Sequence, residues 1–243
     1  MKIFLAGATG AIGKRLVPLL LEAGFQVIGT TRSSSRAEGL RATGVEPAVV
    51  DVFDRASLVR AVVAAHPDIV MQQLTDLPPG LDPSQMVEGT RRNAHIRSEG
   101  TKNLVAAALE AGVLRFIAQS IAWMYAVGPE PHLEEDRLDV GAQGTRAITV
   151  TGVATLERLV LASPPIEGIV LRYGHLYGPG TGIDVPGEPP SIHVDAAAAA
   201  ALLAIEKGQN GIYNIAEPNS YISTEKARGE LGFEAAYRSS IAA

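Results

Sequence analysis

Ile3-Phe4-Leu5-Ala6 is a continuous apolar run without alternation, the pattern of a strand buried on both faces. Directly behind it Ile12, Leu16, Leu19, Leu20 and Ala23 recur at helical spacing and predict a helix ending near Gly24. The same succession continues down the chain. Strands are predicted at residues 25–31, 48–50, 69–71, 116–118 and 168–172, with helices at 54–65, 84–111 and 145–161. Short apolar strands alternating with helices, without an internal repeat, predict an α/β fold built on a doubly wound parallel sheet. Pro78, Pro79, Gly80 and Pro83 break the chain after the fourth strand, residues 127–144 read as a loop, and Gly and Pro crowd residues 178–190.

The junction of the first strand and helix carries three glycines, Gly7-Ala8-Thr9-Gly10-Ala11-Ile12-Gly13. Strand, glycine turn and helix in that order are what a dinucleotide-binding βαβ unit requires. Gly7 permits the tight turn, Gly10 lets the backbone approach a pyrophosphate, and Gly13 lets helix and strand pack closely. Free N–H groups and the positive end of the helix dipole then hold the phosphate charge. Gly7, Thr9, Gly10, Ala11, Ile12 and Gly13 are therefore the candidate cofactor turn of a Rossmann domain.

The end of the second strand refines this picture. An acid about twenty residues beyond the glycines would accept from the ribose 2′-hydroxyl of NAD. The chain has Thr30-Thr31-Arg32-Ser33-Ser34-Ser35-Arg36 there instead. Arg32 and Arg36 offer guanidinium groups to a 2′-phosphate, so NADP(H) is the expected cofactor; the alternative is a solvated basic loop. Asp51, with Val52 beside it, ends the third strand where it either accepts from an adenine amino group or helps cap the next helix.

Composition excludes more than it selects. A net charge of −5 and a pI near 5.6 argue against nucleic acid as partner. There are no cysteines, which removes thiolate catalysis and Cys-ligated metals. The five histidines show no metal-ligand spacing, so no metal is expected. The short apolar run at the amino terminus does not resemble a signal peptide. The alanine-rich segment 196–205 is too short for a membrane span of about twenty residues. A cytoplasmic protein with a small-molecule substrate and no membrane partner is the expectation.

Five stretches together resemble the extended or atypical short-chain dehydrogenases/reductases, the NAD-dependent epimerase/dehydratase group. They are residues 7–13, Gly100-Thr101-Lys102-Asn103-Leu104-Val105-Ala106-Ala107-Ala108, Gly112-Val113-Leu114-Arg115-Phe116-Ile117-Ala118-Gln119-Ser120, Leu171-Arg172-Tyr173-Gly174-His175-Leu176-Tyr177-Gly178-Pro179-Gly180 and His193-Val194-Asp195-Ala196-Ala197. The resemblance covers nearly the whole chain, and residues 223–233 resemble an extended-family tail. It implies a cofactor across the carboxyl ends of the strands, with Leu74 and Thr75 beside it and Tyr173, Gly174 and His175 near the nicotinamide. Read from position alone, Tyr173 and His175 pack equally well at the sheet edge. The resemblance also implies a homodimer paired through the helices at 84–111 and 145–161. A dinucleotide-binding domain over residues 1–172 is expected, with a short substrate-side region, 173–243, interleaved in it.

The departure from the family is in the acid–base pair. Most members use Tyr-x-x-x-Lys, in which the lysine lowers the tyrosine pKa; no such pair occurs anywhere in the chain. Aligning the family's glutamate with Glu157 puts Val153 at the lysine position and Thr149 at the tyrosine position, while the usual serine falls on Ile121, next to Ser120. Three readings follow: an NADP(H)-dependent oxidoreductase on a small substrate with an atypical proton donor, a non-catalytic NmrA-like regulator, or an epimerase or dehydratase using bound cofactor. For the first, Ser120, Tyr125 and His175 are the candidate catalytic residues. Ser120 and Tyr125 would orient a carbonyl or similar acceptor, and His175 or a water on it would supply the proton. Only residues 181–192 separate Gly180 from His193, so the expected substrate site is small or open.

Overall fold

The first strand, β1 (Lys2–Ala6), sends Ile3 and Leu5 to one side of the sheet and Phe4 and Ala6 to the other, all fully buried. That is why its sequence shows no alternation. The computed structural model describes residues 1–240, and positions 241–243 of the region expected at 173–243 lie outside them. After β1 come β2 (Gln26–Thr31), β3 (Glu46–Val49), β4 (Ile69–Gln72), β5 (Arg115–Ile121), β6 (Glu167–Tyr173), the short β7 (His175–Tyr177) and β8 (Ser191–His193), and β9 (Gly211–Ile215). Seven of these form one parallel sheet in the order β3-β2-β1-β4-β5-β6-β9, and β7 pairs with β8 apart from it. The chain reverses its direction of winding between β1 and β4, where a crevice opens outside the carboxyl ends of the strands.

Two helical layers cover the sheet. On one face α1 (Ala11–Glu22) and α7 (Val194–Leu203) bury Leu16, Leu20, Ala197 and Ala201 against Ile3, Leu5, Ile169 and Leu171. The alanines of α7 let it lie close along α1, and Arg15 joins Asp195 across the pair at 2.5 Å. On the other face α3 (Arg55–Ala65), α5 (Thr101–Glu110) and α6 (Gly144–Leu161) pack Leu58, Val62, Leu104 and Val160 onto Phe4, Val70, Phe116 and Val170.

Several elements differ from the expectation. A helix, α2 (Ser34–Ala42), occupies what read as the basic loop; only Ala37 and Leu40 of it are buried, too few to set a periodicity. The expected helix at 84–111 is α4 (Met86–His95), a π turn at Ile96–Gly100, and then α5. Thr101 accepts from the Gln72 amide at 2.9 Å and Asn103 donates to the Val52 carbonyl at 2.9 Å. These bonds fix α5 on the sheet while α4 packs on α6. The π turn absorbs the difference in rotation and leaves Ile96 and Arg97 buried. β5 runs on to Ile121, three residues past its expected end, and β9 joins the sheet from beyond residue 172. No helix among the described residues is long and apolar enough to cross a membrane.

Candidate cofactor and substrate site

Gly7 has φ of +99°, and a Cβ there would stand 2.5 Å from the Gln73 carbonyl oxygen. A Cβ at Gly13 would stand 2.2 Å from the Gly7 carbonyl oxygen, so α1 starts against the turn only because both positions are bare. Gly10 differs from both. Its nearest neighbour would be the Gly7 oxygen at 3.4 Å, which leaves open the side from which a ligand approaches. Gly10 caps α1 without a side chain, no acid sits in the first turn, and the first helical bond is Lys14 N–H to the Gly10 carbonyl. The amides of Ala11, Ile12 and Gly13 are thus left for an anion. Thr9 and Ala11 are half-buried at this turn, whereas the Ile12 side chain belongs to the core and only its backbone is available.

Arg32 is exposed just past β2, and Arg36 is exposed on the first turn of α2. Asp51 is exposed past β3, and its carboxylate accepts from the Phe53 N–H at 3.0 Å. The helix cap is Asp54, which accepts from the Ser57 N–H at 3.1 Å, so Asp51 does not serve as that cap. Val52 is buried, with its carbonyl taken by Asn103. Leu74 is half-buried and Thr75 exposed after β4. Below them both amide atoms of Gln73 and the Tyr173 hydroxyl are buried with no partner at hydrogen-bond geometry. Burial raises the Tyr173 pKa, and the neighbouring Gln73 offsets part of that although the two groups do not meet hydrogen-bond geometry. Tyr173 packs in the core beneath the crevice rather than lining it. The open glycine cradle and its free amides fit a dinucleotide phosphate. Among the described residues, no group of three acidic or histidine side chains is gathered for a metal.

The three candidate catalytic residues are not united in one crevice. Ser120 lies within β5, paired in register with Arg172 of β6, and both side chains face Glu157 of α6. The Ser120 hydroxyl donates to Glu157 at 2.8 Å, and Arg172 holds the same carboxylate through bonds of 2.8 and 2.7 Å. Tyr125 donates to Asn214 at 2.7 Å and accepts from Arg172 at 2.8 Å, with its ring stacked on His132. Asn214 in turn gives its backbone N–H to the buried Glu134 at 2.9 Å. Burial raises the Tyr125 pKa despite the guanidinium beside it, so the phenol is a weaker acid than an exposed one. Burial alone would lower the Arg172 pKa, but Glu157 reverses this and holds it above the usual value. Burial pushes the Arg97 pKa down to about 10, with the charge of Glu157 opposing the shift. Ser120 and Tyr125 are thus committed to a buried network that ties β5, β6, α6 and β9 together.

His175 is exposed. Its ring stacks on Trp123 with centroids 3.8 Å apart and 20° between planes, and partial desolvation lowers its pKa, opposed by Glu188. The sequence singled out His175 and missed Trp123, whose position two residues past β5 was the available signal. At the family's acid–base positions, Val153 is fully buried in an apolar cluster with Ile121, Met124 and Val150. The Thr149 hydroxyl turns back onto its own helix, donating to the Thr145 carbonyl at 3.3 Å.

The sequence pattern of the NAD(P)H-binding family matches residues 7–148. A Streptomyces protein named 3-diazoavenalumate denitrifying reductase is 40% identical over 240 residues, covering 89% of this chain and 76% of the relative. The UDP-glucose 4-epimerase of Thermotoga maritima superposes with a TM-score of 0.77 at 20% identity, over 98% of this chain and 94% of that one. The dTDP-glucose 4,6-dehydratase DesIV of Streptomyces venezuelae, solved as a double mutant with NAD and DAU bound, gives 0.79 at 16% identity, over 98% and 92%. At that identity the solved structures show a shared fold. The glycine cradle, the parallel sheet and these matches place the chain in the NAD(P)H-binding family, on the short-chain dehydrogenase/reductase fold of the epimerases and dehydratases.

Proposed function

We propose that this protein is an NADP(H)-dependent reductase of a small organic electrophile, and that it works without an acid at the family's tyrosine and lysine positions. The observation that carries the reading is Val153, sealed among Ile121, Met124 and Val150 where a proton relay would need a polar chain. A bound reduced nicotinamide supplies hydride. The residues of this chain bind and orient: the amides of Ala11, Ile12 and Gly13 take the pyrophosphate, and Arg32 and Arg36 take the 2′-phosphate, which favours NADP(H) over NAD(H).

An epimerase or dehydratase must remove and return protons, and neither Thr149 nor Val153 can do so. A substrate that completes its reaction on accepting hydride alone suits the site better. A diazo compound, the kind named for the Streptomyces relative, meets that condition in its aryl diazonium form. The carbon–nitrogen bond breaks, N2 leaves, hydride becomes the new C–H bond, and no proton enters the balance.

The test is anaerobic incubation with NADPH and 4-hydroxybenzenediazonium. Phenol, N2 and NADP+ should form mole for mole, faster than without protein, and Gly10→Val should return the rate to the protein-free value. Tight NADPH binding with no acceleration for diazonium, imine or quinone acceptors overturns the reductase reading in favour of the non-catalytic one.

A further inference from the structure

Trp123 and His175 leave adjacent parallel strands at the same level. Ile121 pairs with Tyr173 at the ends of β5 and β6, and two residues further on each strand stand the indole and the imidazole. They meet face to face at 3.8 Å. Trp123 is half-buried, resting on the apolar cluster of Ile121, Met124, Val150 and Val153, while His175 remains exposed. One face of the imidazole is thus covered by tryptophan and the other is open at the carboxyl edge of the sheet.

Other features hold the position of this stack. Arg146 donates to the Trp123 carbonyl at 3.2 Å and the Tyr125 carbonyl at 3.1 Å, and pairs with Asp139 at 2.7 Å. The loop carrying the indole is therefore anchored by the Arg146 side chain at two backbone carbonyls, in addition to the packing of the indole on the apolar cluster. Gly174 packs against the Pro190 and Ser191 backbone, where a Cβ would approach to 2.9 Å, and the His175 N–H donates to the Pro190 carbonyl at 2.8 Å. The imidazole ring is not what fixes its own strand. Two stacked aromatic rings, the outer of them on an exposed residue, form a surface suited to a third ring.

We propose that the Trp123–His175 stack is a platform for a planar aromatic substrate, which lies on the open face of His175 and is selected by ring stacking. The proposal rests on the reductase reading and supplies its substrate class. Glu188 is the charged group facing His175, so the platform carries no positive neighbour that would repel an electron-poor or cationic ring. His175 is then a binding residue rather than a proton donor, which agrees with a reaction that takes up no proton.

Binding alone tests the idea. Cinnamamide and 3-cyclohexylacrylamide share a side chain and differ only in whether the ring is flat. With NADP+ saturating, calorimetric titration should give at least fivefold tighter binding for cinnamamide. His175→Ala and Trp123→Leu should erase that ratio while leaving NADP+ affinity unchanged. Equal affinities for the two amides in the wild type overturn the platform, and so does a preference that persists in both variants. A diazonium reductase activity alongside equal amide affinities sinks the platform and leaves the reductase reading standing. Planar-ring preference without turnover does the reverse.

Discussion

The carboxyl edge of the sheet has two halves that treat polar groups in opposite ways. Beside β1, β2 and β3, the amides of α1 and the guanidinium groups of Arg32 and Arg36 face outward, and no acid sits in the first turn of α1. Beside β5 and β6, Ser120, Tyr125, Arg172, Glu157 and Asn214 are turned inward and bonded to one another. The first half leaves its polar groups at the surface, and the second bonds them to one another across β5, β6, α6 and β9. A cofactor turn is therefore poor evidence for the acid–base chemistry usually found with it. Of the two positions that correspond to the family's pair, Val153 lies in an apolar cluster and the Thr149 hydroxyl turns back onto its own helix.

The largest effect should come from breaking the inward network. Arg172→Met removes the cation hydrogen-bonded to Glu157, leaving that carboxylate only the nearby charge of Arg97, and should cost about 3–5 kcal/mol in chemical denaturation. Replacing Glu157 by Met as well should restore much of that, since a buried pair exchanged for apolar groups is often near neutral. Ser120→Ala should cost only about 1 kcal/mol. A loss of under about 1 kcal/mol for Arg172→Met would mean that the network does not hold this half together.

In the other half, Gly10→Val should leave thermal unfolding near wild type, because its Cβ has room at 3.4 Å. NADP(H) affinity should fall by at least about a hundredfold, near 2.7 kcal/mol. Gly13→Val serves as contrast: its Cβ meets backbone at 2.2 Å, so it should lower the melting temperature itself. If Gly10→Val binds cofactor normally while folded, the turn is only structural.

The sequence made the first half legible and much of the second illegible, for a physical reason. Glycines, strand and helix around residues 7–13 are contiguous, so local spacing reveals them. The role of Ser120 depends on how far β5 continues. With Phe116 and Ala118 on the α5 and α6 face, two more residues of strand carry Ser120 to the same face and onto Glu157. Tyr125 depends on Asn214, 89 residues away. β9 has only five residues, including that polar Asn214, and gives no pattern to find. The π turn at Ile96–Gly100 keeps helical spacing on both sides and is likewise silent in the sequence.

A smaller effect measures how specific the open half is. Arg32→Ala should weaken NADP(H) by roughly ten- to a hundredfold, as loss of a charged hydrogen bond costs about 1.5–3 kcal/mol. NAD(H) affinity should hardly change, since it carries no 2′-phosphate. Parallel titrations of both cofactors decide the matter, and equal losses for the two would remove Arg32 from 2′-phosphate recognition.

The smallest predicted effect lies just past the ends of β5 and β6, where His175 stacks on the chain's single tryptophan. Partial desolvation lowers the His175 pKa, so the folded protein binds fewer protons than the unfolded chain between that lowered value and the ordinary 6.5. Stability contributed by this group therefore rises as pH climbs through that window and is lost as pH falls through the folded pKa. Protonation places an imidazolium against the indole, so tryptophan emission should titrate with a midpoint below 6.5. His175→Gln should abolish that transition while leaving the emission at neutral pH close to its former wavelength. A midpoint at or above 6.5, or a transition that survives in the glutamine variant, would show that the imidazole is not held against Trp123 in solution.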